Sequence, residues 1–175
     1  AQYATAHFSG DFETDVMTIN VFMGEDAVSP YYPYLEQGKG VFALVKTSNP
    51  SGKDFQDLIV DGETLYERTA RKVSQWGEPF IGTSGFSAIG AVTGLTYPGE
   101  FERIRPLLPH TFLLIPGYGA QGGTGKDIAG FFEGGVRGVV NSSRGILTAH
   151  KGKSEDVRFT DHTRKATLDM KQDIL

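Results

Sequence analysis

The chain has 175 residues and a mass of 19.0 kDa, the size of one domain, and its 39% apolar and 22% charged residues mark a globular chain rather than a disordered one. A net charge of −4 argues against nucleic acid as the main partner, because phosphate neutralisation needs clustered cations, and no apolar run reaches the ~20 residues that span a bilayer. The absence of Cys excludes disulfide scaffolds, Cys-ligated zinc and thiolate catalysis.

Residues 1–8 (AQYATAHF) read as helix already under way, with no Ser, Thr, Asp or Asn ahead to cap it. Residues 15–22 (DVMTINVF) form the first apolar, β-branched run. The aromatic cluster Tyr31-Tyr32-Pro33-Tyr34 fits helix packing better than a stacking platform. Residues 40–48 (GVFALVKTS) are the second run. Residues 61–76 carry the clearest helical periodicity, with Leu65, Tyr66, Thr69, Ala70, Val73 and Trp76 on one stripe and Glu67, Arg68, Arg71, Lys72 and Gln75 facing out. Further runs cover residues 87–96, 111–119 and 136–144, separated by shorter helix candidates at 98–105 and 126–132. Residues 159–174 are predicted to be a polar closing helix capped by Thr160 or Asp161.

Each run is apolar at consecutive positions, which predicts strands buried on both faces, as in a parallel sheet. Strand alternating with helix predicts an α/β fold. Two architectures accommodate five such units. One is a complete doubly wound, flavodoxin-like nucleotide-binding module, which fits this length. The other is part of a (β/α)8 TIM barrel, which typically needs about 250 residues. Length alone favours the first; the motifs favour the second.

The runs end in polar residues on their carboxyl sides: Asn20; Lys46-Thr47-Ser48-Asn49; Thr96; Pro116 to Gly123; and Asn141-Ser142-Ser143-Arg144. Ligands of parallel α/β folds bind beyond those ends. Gly117 to Gly122 satisfies G-x-G-x-x-G, but a second glycine pair intervenes before any helix, and the next run ends in Arg144 rather than an acid. A P-loop reading fails because Asp127 follows Lys126 where a Ser or Thr is required. A backbone phosphate cradle accounts for the glycines, the arginine and the missing acid together. Amides near Gly122 and Gly123 would donate to the anion and Arg144 would supply a bidentate charge. His7, His110, His150 and His162 show no ligand spacing. Asp54 and Asp57 read as solvating loop residues. Lys46, at a strand end, is expected to be solvated unless it is a catalytic amine.

Three segments, LVKTSNPSGKDFQDL (44–58), LIPGYGAQGG (114–123) and VVNSSRGIL (139–147), resemble orotidine 5′-phosphate decarboxylase in its longer, type 2 bacterial form. The stretch AQYATAHF…DVMTINVFMGED also resembles that family's sequence around its fourth strand. The resemblance implies a (β/α)8 barrel to which this chain, as a single C-terminal domain portion over residues 1–175, contributes strands four to eight. About three N-terminal βα units would lie upstream. It further implies a cytoplasmic homodimer that converts orotidine 5′-monophosphate to uridine 5′-monophosphate without a cofactor. Ser48 would bind the pyrimidine edge, and Gln121 would bridge pyrimidine and phosphate. Arg144 would bind the phosphate with amides near Gly122, Gly123 and Ser143, while Asn20, Thr47 and Pro116 would line the pocket. The family's Asp-x-Lys-x-x-Asp stretch, which carries the proton donor, has no counterpart in this sequence. The chain therefore supplies no catalytic residue and, alone, is expected not to decarboxylate. Asn20-Val21-Phe22-Met23-Gly24 stands where the family often has Asn-Pro-Tyr-Leu-Gly. The competing enzyme reading, another phosphate-binding barrel such as an isomerase or aldolase, needs a strand-end amine or carboxylate, and only Lys46 qualifies.

Overall fold

The computed structural model describes residues 1–94, 98–119, 124–132, 136–153 and 158–174. The opening helix α1 (Gln2–Phe8) buries Ala4 and Phe8, one turn apart, and no side chain caps it. Phe8 meets the edge of Tyr31 at 6.0 Å and Tyr34 at 5.6 Å between ring centroids, so the aromatic cluster packs a helix as predicted. Strand β1 (Val16–Ile19) leads through 3-10 turns to α2 (Tyr32–Leu35) and then β2 (Gly40–Lys46). A 3-10 turn and α3 (Lys53–Gln56) follow, before a short antiparallel hairpin, β3 (Ile59–Val60) and β4 (Glu63–Thr64).

That hairpin occupies residues expected to start the next helix. Its turn is Asp61-Gly62, with φ of 52° and 84°, the left-handed conformation that an Asp-Gly pair adopts at little cost. Helix α4 (Leu65–Gly77) consequently begins at Leu65. It is held by a capping box: Thr64 Oγ1 accepts from the Glu67 amide, and the Glu67 carboxylate accepts from the Thr64 amide at 2.9 Å. Glu67, predicted to face out, is buried for this reason and also pairs with Arg103 at 2.9 Å. Tyr66, Ala70, Val73 and Gly77 carry the buried stripe. Gly77 is required there: a Cβ would stand 2.6 Å from Ser87 Oγ, which donates to the Gly77 carbonyl at 2.8 Å.

Strand β5 (Ile89–Thr93) is buried at every position. Helix α5 (Pro98–Ile104), β6 (Leu113–Pro116), α6 (Gly125–Phe132), β7 (Gly138–Asn141), α7 (Ser143–Leu147) and α8 (Phe159–Ile174) complete the chain. The closing helix starts at Phe159, so Thr160 and Asp161 lie inside its first turn rather than capping it.

The main sheet has the order β1-β2-β5-β6-β7, and all four pairings are parallel. This strictly sequential order decides the architecture. A flavodoxin-like sheet reverses direction, with strand order 2-1-3-4-5, to make a switch point. A barrel wall adds each strand beside the last. The sheet is a curled section of a (β/α)8 barrel, and the doubly wound reading is corrected. Among the described residues neither β1 nor β7 has a partner on its outer edge, and Val16 and Val139 are half exposed there. The core lies between sheet and helices, centred on Val41, Ala43, Ile89, Ala91, Leu113 and Ile115 against Tyr66, Ala70 and Val73. Each large apolar side chain buried there contributes about 1.5–3 kcal/mol. No helix among the described residues is long and apolar enough to cross a membrane.

Candidate active site at the carboxyl ends of the strands

The predicted site residues that are described all fall at or just past the carboxyl end of a parallel strand. Asn20 follows β1, Thr47 and Ser48 follow β2, Pro116 closes β6, and Ser143 and Arg144 follow β7. Gln121, Gly122, Gly123 and Thr96 lie outside the described residues. Asn20 and Thr47 line one depression and Pro116, Ser143 and Arg144 line another, while Ser48 is in the lining of neither.

The larger depression, a cavity of about 700 Å³, includes Asn20, Phe22, Thr47, Phe55, Gln56 and Trp76 in its lining. Asn20 Oδ1 accepts from the Phe22 amide at 2.9 Å, which fixes the side chain and leaves its amide nitrogen a donor. Thr47 is held from two sides. Its amide donates to Gln56 Oε1 at 3.0 Å, and its hydroxyl accepts from Gln56 Nε2 at 2.8 Å. The Thr47 hydroxyl proton is thereby left to donate elsewhere. Gly52 packs closely against this closure: a Cβ there would stand 3.0 Å from Thr47 Oγ1 and 3.2 Å from Gln56 Oε1, so either side chain would have to give by a few tenths of an ångström. Ser48 packs directly on Gly94, where a Cβ would come within 2.9 Å of both its Cβ and its amide nitrogen.

The smaller depression, of about 250 Å³, lies between the ends of β6 and β7 and is lined by Pro116 to Tyr118 and Asn141 to Arg144. Pro116 and Asn141 are register partners. Ser142 does not cap α7; its hydroxyl donates to the Tyr118 carbonyl at 3.1 Å and ties the two loops together. Gly145 permits this, because a Cβ there would sit 2.6 Å from Ser142 Oγ. Ser143 donates to Asn141 Oδ1 at 3.2 Å. Arg144 is exposed, and among the described residues no carboxylate engages it. On the far side, Asp173 of α8 accepts from the Tyr118 hydroxyl and from the Gly125 amide, both at 2.8 Å. One carboxylate thus holds the residues on either side of the glycine-rich segment. Burial, and then this hydrogen bond, push the Tyr118 hydroxyl up to about 12.

Two expectations are corrected by the same observation. Lys46 is not solvated: its side chain is 4% exposed, ion-paired with Asp57 and, at 3.4 Å, with Glu100. Its ammonium also stands 4.8 Å from the centre of the Tyr66 ring. Asp57 is accordingly a partner rather than a free loop residue. Enclosed by these groups, Lys46 offers no approach to a carbonyl substrate, which removes the only amine on which an aldolase reading stood. The four histidines remain scattered, and among the described residues no group of His, Asp and Glu is placed to hold a metal ion. Sequence reasoning missed Gln56 and Glu100, neither of which carries any local pattern.

The family model for the orotidine 5′-phosphate decarboxylase / HUMPS family matches residues 1–158. Relatives named orotidine 5′-phosphate decarboxylase include those of Petrotoga mobilis, 49% identical over 98% of this chain, and Clostridium tetani, 46% identical over 99% of it. The chain spans 61% of the length of each. Among solved structures, UMP synthase of Leishmania donovani superposes with a TM-score of 0.75 at 30% identity, covering 98% of this chain and 35% of that one. OMP decarboxylase of the same organism gives 0.71 at 25% identity, covering 98% and 61%. A match over most of the chain, on a sequentially ordered barrel sheet with its polar residues gathered at the strand ends, places this protein in the orotidine 5′-phosphate decarboxylase / HUMPS family.

Proposed function

We propose that this chain forms the pyrimidine- and phosphate-binding part of an orotidine 5′-monophosphate decarboxylase, the carboxy-lyase that yields uridine 5′-monophosphate for pyrimidine biosynthesis. In this reading its five strands are numbers four to eight of the barrel, and the proton-donating Asp-x-Lys-x-x-Asp stretch belongs to units outside this sequence. The observation that carries the proposal is that Thr47 and Ser48 after β2, Pro116 on β6, and Ser143 and Arg144 after β7 all stand at the carboxyl end of one parallel sheet.

The roles follow from chemistry. The exposed guanidinium of Arg144, beside the Ser143 and Pro116 end of the smaller depression, suits the dianionic phosphate through a bidentate pair. Gln121 and the Gly122 and Gly123 amides, between Tyr118 and Gly125 in the sequence, would complete that cradle. Ser48 and Thr47, with the Asn20 amide, would read the pyrimidine edge. Grip on a phosphate remote from the reacting carbon can be directed to orientation and loop closure around the base. No resident cofactor is part of this reading. The protein would act in the cytoplasm as a homodimer.

Titration with uridine 5′-monophosphate and inorganic phosphate tests the proposal. The chain should bind both, and Arg144→Ala should weaken each by more than tenfold while leaving the melting temperature unchanged. Release of CO2 from carboxyl-labelled orotidine 5′-monophosphate should be absent for the 175-residue chain and present for a barrel that includes the Asp-x-Lys-x-x-Asp units. Nucleotide binding that ignores Arg144 would overturn the assignment.

A further inference from the structure

Lys46, Asp57 and Glu100 are in the lining of neither depression, yet their cluster is built into the strand that carries Thr47 and Ser48. Lys46 is the last residue of β2, Asp57 closes the segment after α3, and Glu100 sits in the first turn of α5. Its ammonium reaches both carboxylates from within the sheet–helix layer, beneath the Tyr66 ring. The pairing of β2 with β5 slips between Leu44 and Lys46, a bulge of the kind that re-aims side chains at strand ends. Beyond the slip, the Gly94 amide donates to the Lys46 carbonyl at 2.8 Å.

A cluster of this kind is a poor device for stability alone. Burying charges costs about as much as their attraction returns, and apolar replacements are often neutral or stabilising. The Glu100 carboxyl reflects that cost: burial raises it above the ordinary carboxylate range, and Lys46 offsets this only in part. What such a cluster does supply is a fixed geometry. The residues whose geometry it fixes are Thr47 and Ser48, next in the chain, and the segment 49–56 that returns Gln56 to Thr47.

We propose that Lys46 is a positioning residue that, through Asp57 and Glu100, locks the end of β2 and the following loop so that Thr47 and Ser48 are presented to the pyrimidine of a bound nucleotide. This rests on the reading of the site as a nucleotide monophosphate site. It assigns no chemistry to Lys46, whose side chain lies on the helix side of the sheet.

The test compares Lys46→Met, which keeps the stem against Tyr66 and removes the charge, with Asp57→Asn and Glu100→Gln. For Lys46→Met, affinity for uridine 5′-monophosphate should fall at least tenfold, while affinity for inorganic phosphate stays within twofold. Amide exchange across residues 47–58 should quicken at least tenfold, with β6 and β7 unchanged. The two carboxylate variants should show the same split more weakly, and they carry the test if Lys46→Met fails to fold. Equal losses for nucleotide and phosphate, or no change in either, would overturn the proposal. If the unsubstituted protein binds no uridine 5′-monophosphate, the reading of the site fails, and the exchange measurement then decides alone whether Lys46 holds the strand end.

Discussion

Gly94 offers a direct test of whether Ser48 contributes to binding through its exact position. An added Cβ at residue 94 would lie 2.9 Å from Ser48 Cβ, 2.9 Å from its amide nitrogen and 3.1 Å from its Cα. Ordinary contact begins at 3.4 Å, so the strand end must retreat by about half an ångström, and two of the three atoms are backbone and cannot rotate away. Overpacking of this kind costs about 1–3 kcal/mol. In a chain of this size each kcal/mol lowers Tm by about 2–4 °C. A displacement on the order of 1 Å can cost a hundredfold at a positioned group, so half that distance should weaken uridine 5′-monophosphate binding about tenfold. A double-mutant cycle separates the two effects. Ser48→Ala removes the hydroxyl but leaves the atoms that clash. In the Ser48→Ala background, Gly94→Ala should therefore cost the same stability but little further affinity. Calorimetric titration and thermal melts measure both quantities. A Gly94→Ala protein that keeps its Tm and binds within twofold of the parent would refute the steric argument. Full additivity in affinity would refute the role of the Ser48 hydroxyl.

Other consequences concern stability. Thr93 Oγ1 is buried at the end of β5 with no hydrogen-bond partner among the described residues, so Thr93→Val should stabilise by about 1 kcal/mol in urea denaturation. Thr64→Ala breaks the α4 capping box and should cost about 1 kcal/mol. Hydrogen bonds from Thr64 hold the Glu67 carboxyl below the ordinary range, with Arg103 adding to the effect. That stabilisation is present above the ordinary value of ~4.3 and is lost as pH falls through the lower folded value, so parent and Thr64→Ala should converge in acid. Tyr32 and Tyr118 are both pushed up to about 12, chiefly by burial and then by Glu25 and Asp173 respectively. From the ordinary value of ~10 upward the unfolded chain loses these protons first, so stability should decline until the folded groups titrate. Tyr118→Phe should flatten that decline, as read from urea midpoints across the same alkaline interval.

The parts of this fold legible in the sequence are those set by local periodicity. Consecutive apolar residues report strands of a parallel sheet, and Ile89 to Val92 are buried on both faces as expected, but Val41 to Val45 alternate buried and half-buried positions, so burial on both faces holds for β5 alone among these strands; the α4 stripe reports a helix on a core. The β3–β4 hairpin escaped because two residues per strand are too few for any period, although Asp61-Gly62 carried its turn signal. Strand order is legible in the motifs that pointed to a barrel, and the sheet bears that reading out, but it is not legible in local periodicity. A barrel wall and a doubly wound sheet present the same local alternation, and only the pairing of each strand with its successor tells them apart.

Charges are the hardest residues to read locally, because their state depends on what the finished topology brings beside them. Glu67 reads as outward until the cap at Thr64 turns it in. Lys46 and Asp57 read as solvated because nothing near them in sequence requires a partner. The Asp57 partner returns on the segment after α3, while the Glu100 partner sits on α5, which reaches Lys46 only once β5 has docked alongside β2. A charge whose two carboxylate partners arrive from separate segments costs free energy to bury and adds little to folding, so its presence at the end of a site-bearing strand is better explained by the precision it gives that strand than by the stability it gives the domain.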